Sequence, residues 1–306
     1  MLLGQRARHP LTAPIGIPEA ASRAFGRTTL SVSFEHGSAF MGGTAGDGEA
    51  LLLDGETSEL AARARWPLGR CAALETRLAA LAHGGGRFDR PIESWHGFFG
   101  LPNAGREDAP ADRLAFVHVD RDGRRVALER DAIGLADARL GLAWMPGCDR
   151  APGDARAVLR AGVELPLGDE SRWLGNGAPD LWADLQSPVL AFGRRWPTRL
   201  AASVGLVLPG AGDALPRPVD AAAYGAFGAR VALGPRWSAS VGLDWHTPLY
   251  DSALTELGDG AVQLGVGVDW TRPGLGTLGF SILEDALVDT SSDIVARLTL
   301  EVELAR

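Results

Sequence analysis

The chain has 306 residues, a formal charge of −8 and 46% hydrophobic residues. This leaves one large domain or two ordinary ones open, but argues against a nucleic-acid partner, which needs a basic face. Forty glycines and nine tryptophans against two tyrosines suit many tight turns and small inward side chains better than a helical core. No run of about eighteen uncharged apolar residues exists, so no membrane-spanning helix is expected.

Met1–Gly26 starts MLLGQRARHP and continues with scattered prolines, without a clear secretion signal. From Arg27 onward, segments whose side chains alternate apolar and polar recur, and the gaps between them alternate long and short. Thr28–His36 places Leu30, Val32 and Phe34 on one face, as successive strand residues do. A Gly-rich gap, Gly37–Thr57, leads to Ser58–Trp66, with Leu60, Ala62, Ala64 and Trp66 opposite Glu59, Arg63 and Arg65. The turn Pro67–Arg70 returns the chain into Cys71–His83, with Leu74, Thr76, Leu78, Ala80 and Ala82 outward and Glu75 and Arg77 inward.

The longest gap, Gly84–Arg113, is followed by Leu114–Val119 and Arg125–Arg130 around Asp122–Gly123, a strong hairpin pair. This hairpin is placed in or on top of the long loop rather than in the wall. Gly134–Trp144 then shows Ala136, Ala138, Leu140, Leu142 and Trp144 against Asp137 and Arg139. The turn Pro146–Asp154 precedes Ala155–Leu165, with Arg156, Arg160 and Glu164 on its polar side. Pro179–Phe192 changes apolar parity near Pro188, where a bulge is expected. Arg199–Leu208, Ala223–Leu233, Arg236–His246, Ala261–Trp270, Thr277–Leu283 and Asp293–Leu304 complete the set. Arg236–His246 is the clearest, with Trp237, Ala239, Val241, Leu243 and Trp245 on one face and only small or polar residues on the other.

About twelve strands result, with both ends of the chain on the short-turn side. The charged residues fall on the polar parity, among them Arg230, Asp244, Asp269, Arg297, Glu301 and Glu303. A lipid-facing Arg costs about 2–4 kcal/mol at the midplane, so lipid outside would impose that exclusion. Trp66, Trp144, Trp196, Trp237 and Trp270 all lie beside short turns, as an interfacial girdle would. A soluble antiparallel sandwich also hides one face of each strand, but does not need small residues inside or tryptophans at one level. The expected fold is therefore all-β: an antiparallel transmembrane barrel over residues 28–306, with a long loop at 84–125, long extracellular loops and short periplasmic turns. Residues 1–27 are read as a periplasmic segment.

Candidate site residues fall into two groups. In the long loop, Asp89, Glu93, Trp95, His96, Arg106 and Glu107 form a possible constriction or binding plug, against the alternative of a self-packed loop. Facing the lumen, Arg63, Arg77, Arg139, Arg160, Glu164, Arg230, Asp244, Asp269, Arg297 and Glu301 either set a transverse field for a polar solute or pair to close the barrel. Cys71 and Cys148 lie near the short-turn rim of neighbouring strands, so either a disulfide or two thiols fits. C-x-x-C and metal-ligand spacings are absent, so neither metal nor cofactor is expected. The acids Glu284, Asp285 and Asp289 read as solvated. The outward rows hold no Ser and no His, which argues against a lipid-face esterase.

The stretch LLLDGE at Leu51–Glu56, FDRPIESWHGFFGLPNAGRE at Phe88–Glu107 and GLVLPG at Gly205–Gly210 resemble domain-of-unknown-function family 3187, over most of the chain from about Pro18. The resemblance implies an exported outer-membrane-type barrel of Gram-negative bacteria and brings no catalytic residues. The chain departs from such proteins in its unmarked N-terminus and in ending Leu304–Ala305–Arg306 rather than on an aromatic. The expected function is a passive channel or binding scaffold for a small polar or anionic solute. The alternative is a closed barrel with an enzymatic or ligand-binding site at the extracellular rim, near His96 and Arg106. The expected partners are outer-membrane lipid, the barrel assembly machinery and such a solute.

Overall fold

A computed structural model describes residues 10–19, 25–86, 88, 94, 97–98, 109–148, 156–286, 292 and 294–304. The strands are β1 (Thr28–Thr44), β2 (Ala50–Pro67), β3 (Ala72–Gly84), β4 (Ala115–Val119), β5 (Arg125–Leu128), β6 (Ala132–Leu135), β7 (Ala138–Trp144), β8 (Val158–Leu165), β9 (Asp180–Gln186), β10 (Leu190–Phe192), β11 (Thr198–Leu208), β12 (Ala222–Ala232), β13 (Trp237–His246), β14 (Ala261–Arg272), β15 (Gly276–Asp285) and β16 (Ile294–Leu304). All pairings are antiparallel, and β1 pairs with both β2 and β16, closing a ring. With β6 and β7 as one broken strand, and β9 and β10 as another, the wall has twelve strands.

Both breaks have the same cause. Leu135 pairs with Ala80 and Arg139 with Arg77, so four steps on one strand face three on the other. Likewise Leu190 pairs with Leu200 and Gln186 with Ser203. One extra residue makes a bulge and flips the face on which apolar residues must stand. The bulge near Pro188 matches the parity change in the sequence. The other corrects the reading of Gly134–Trp144: this wall strand starts at Ala132, and its outward residues before the bulge are Ile133 and Leu135, not Ala136.

The outer surface is a continuous apolar belt. Leu30, Val32 and Phe34 on β1, Val204 and Leu206 on β11, Val241 and Leu243 on β13 and Leu298 and Leu300 on β16 are all exposed. Trp66, Trp144, Trp196 and Trp237 are exposed at the short-turn end, and Trp237 pairs directly with Trp270. Such a belt with a tryptophan rim is what a bilayer stabilises, and water would not.

The gap expected at Gly37–Thr57 is mostly strand. β1 and β2 stay paired up to Thr44↔Ala50, well past the apolar belt. Beyond the lipid layer the outward face need not be apolar, so the alternating signal fades while the ladder continues. There β2 also pairs with β4, which places the β4–β5 hairpin on top of the barrel; Gly123, with φ of +80°, makes its turn. Met41, Leu51, Leu53, Phe116 and Trp173 form an apolar core at this long-loop end.

Residues 10–19 are not outside the barrel. Leu11 and Ile15 are 2% and 1% exposed, and they join that apolar core. The Gly16 N–H donates to Asp180 Oδ2 at 2.6 Å, and the Tyr250 hydroxyl donates to the Leu11 carbonyl at 2.6 Å. Burial pushes the Tyr250 phenol up, so it remains protonated and able to donate. This corrects the expected periplasmic placement for residues 10–19. The stretch LTAPIGIP carries no charge and gains by leaving water.

Candidate lumen site

On β2, β3, β7 and β8 the inward positions carry charges that the register sets side by side. Arg63 pairs with Arg77, Arg77 with Arg139, Arg139 with Glu164, and Glu164 with Asp180. Three arginines in one cross-strand row would repel without counter-charges. Glu59, from a neighbouring row, contacts Arg77, and Glu164, at the end of the same row, meets Arg139 at 2.9 Å. A second chain of ion pairs, crossing from one register row to the next, links Arg65, Glu75, Arg160 and Asp184, with Arg160 to Glu75 at 3.3 Å and to Asp184 at 2.5 Å. Arg297 on β16 meets Glu35 at 2.6 Å.

Glu19, carried on the N-terminal segment, enters this network and is 7% exposed. Arg63 donates to it through Nε at 3.0 Å and Nη2 at 2.5 Å, and to Ser33 Oγ at 2.7 Å. Arg297 lies 3.9 Å from the same carboxylate. Glu19, Glu35 and Glu59 present oxygens within 4.8 Å of one another. Each of them already faces an arginine, so the trio suits guanidinium groups rather than a metal ion. Beside Glu19 lies a cavity of about 90 Å³, lined by Arg63, Arg65, Arg77, Arg139, Arg160 and Arg297. That is room for several waters or one small anion.

The other half of the wall is sparsely charged. Arg230 donates to Ser238 Oγ at 2.7 Å and meets Asp269 at 3.0 Å, and Asp244 is buried. Glu301 lines the arginine cavity from β16. Every other expected lumen residue has thus been placed above. The loop candidates Asp89, Glu93, Trp95, His96, Arg106 and Glu107 lie outside the described residues. Cys71 and Cys148 form a disulfide, with Cα atoms 5.4 Å apart, next to an apolar cluster of Phe25, Ala73, Ala143, Met145 and Val158.

Glu19 escaped the sequence reading, as did the role of the segment bearing it. The available signal was the uncharged, proline-bracketed run ahead of the first strand, which suits burial better than a solvated linker. Asp180 was also missed. It accepts from Gly16 N–H, Gly210 N–H and Asn176 Nδ2, tying the segment to two loops.

A closed antiparallel barrel with an apolar outer belt and a charged interior, into which residues 10–19 are packed, defines a transmembrane β-barrel. The chain belongs to the family described as "Protein of unknown function (DUF3187)", whose model matches residues 24–303. A sequence comparison with curated proteins gives no match. Among solved structures, the COG4313 outer membrane channel from Pseudomonas putida F1 is similar, with TM-score 0.56 and 11% identity over 95% of this chain and 98% of that one. The β domain of the Bordetella autotransporter BrkA gives TM-score 0.44 and 13% identity, over 91% and 100% of the two chains. The Pseudomonas putida toluene transporter TodX gives 0.39 and 11%, over 99% and 98%. At these identities the likeness to the first is one of fold.

Proposed function

We propose that the protein is an outer-membrane barrel serving as a passive channel or binding scaffold for a small polar or anionic solute. The observation that carries this reading is the contrast between the two faces of the wall: apolar outside, and inside a cavity lined by six arginines against three glutamates, Glu19, Glu75 and Glu301. Fixed cationic groups in a low-dielectric lumen attract and orient anions. Family membership and the fold shared with an outer membrane channel support residence in the outer membrane, with short turns in the periplasm and long loops outside. Bilayer lipid would then cover the belt, and the assembly machinery for such barrels would insert the chain.

The test is conductance. The chain is refolded in detergent, its fold confirmed by heat-modifiable gel migration, and it is inserted into a planar bilayer. Discrete current steps whose reversal potential favours anions are expected. A folded barrel that never gives a step sinks the channel reading.

A further inference from the structure

Arg63 differs from the other wall arginines in the source of its counter-charge. Arg77, Arg139, Arg160 and Arg297 each meet a carboxylate from the wall itself. Among the described residues, the carboxylate on Arg63 comes from Glu19, on a segment with no strand pairing. The two contacts form the fork that a guanidinium makes with any carboxylate, free or attached. Immediately beside it the arginine-lined cavity has space for a second small anion.

Resting on the channel reading and deepening it, we infer that the Arg63–Arg297 end of this cavity is a binding site for small carboxylate anions, which Glu19 occupies as a tethered surrogate. A carboxylate solute and Glu19 therefore compete. The Arg63 guanidinium is only partly exposed and Glu19 is buried, so stripping the pair is costly and Glu19 leaves readily only when another carboxylate takes its place. The apolar anchors Leu11 and Ile15, and the Gly16 bond to Asp180, hold the outer end of the segment throughout. Solute binding thus frees the Glu19 end and widens the lumen at its arginine row.

The experiment uses the whole folded chain and reads hydrogen exchange at the Ile17 and Glu19 amides, with the Gly16 amide as the fixed reference, at constant ionic strength in chloride, acetate, succinate or sulfate. Acetate and succinate are expected to speed exchange about tenfold, the factor corresponding to 1.4 kcal/mol, while chloride and sulfate leave it slow. Glu19→Gln exchanges fast in chloride and ignores acetate; Glu19→Asp restores the response. Should Glu19→Gln not fold, the wild-type titration and Glu19→Asp still decide. Exchange indifferent to carboxylates, or an equal response to sulfate, overturns the assignment. Bilayer currents are recorded in parallel. Carboxylate-accelerated exchange without current leaves this site standing and defeats the channel; current without any exchange response does the reverse.

Discussion

Trp182 occupies space on the inner wall that two glycines leave open. Gly141 pairs with Gly162, and Gly162 with Trp182. A Cβ on Gly162 would lie 2.5 Å from Trp182 Cζ2, and one on Gly141 2.8 Å from it. The Arg160 guanidinium sits 5.5 Å over the same ring. Gly162→Val is therefore expected to lower stability by about 1–3 kcal/mol through overpacking, read as a lower temperature for loss of the fast-migrating folded band. Arg77→Ala strands the buried Glu59 carboxylate and is expected to cost about 3–5 kcal/mol. Adding Glu59→Gln should recover part of that loss; no recovery would mean the two side chains are not coupled. The inward arginines were legible because alternation alone fixes their face. Glu19 was not: its burial depends on Arg63 and Arg297, far apart in sequence and brought together only by barrel closure.

Among the elements, the two bulges show how far local chemistry reaches. Pro188 announces its break, because proline cannot join a ladder and Ser187 takes up the slack, its hydroxyl accepting from Ala202 N–H at 2.9 Å. The Ala136–Asp137 break announces nothing, since alanines suit either face. Asp137 turns inward there and accepts from the N–H groups of Gly168 at 2.7 Å and Asn176 at 3.0 Å. The β1–β2 extension was equally silent, its glycines resembling a loop. Cys71 and Cys148 are 77 residues apart in sequence. Closing a loop of that length removes unfolded-state entropy worth about 4.5 kcal/mol in the chain-entropy account. Reductant is expected to shift the urea midpoint of wild-type protein downward and to leave a Cys71→Ser, Cys148→Ser variant unchanged.

At the scale of the molecule, closure and strand number followed from the rhythm of long and short gaps, and the lipid face from the parity of charge. The threaded lumen had no such rhythm to betray it. Orientation of the wall makes a paired prediction on one strand. Val241→Arg, facing lipid, is expected to cost about 2–4 kcal/mol in vesicle refolding, whereas its neighbour Ser240→Arg, facing inward, costs far less. Equal penalties would mean that β13 does not present Val241 to lipid.

The position of residues 10–19 also fixes an order of events. Their partners are spread along the chain, and Tyr250 lies 239 residues from Leu11. Contacts so distant in sequence form late, once the intervening chain has been organised. Residues 10–19 are therefore among the last to reach their place, and a newly closed cylinder stands unstopped until that segment arrives inside it.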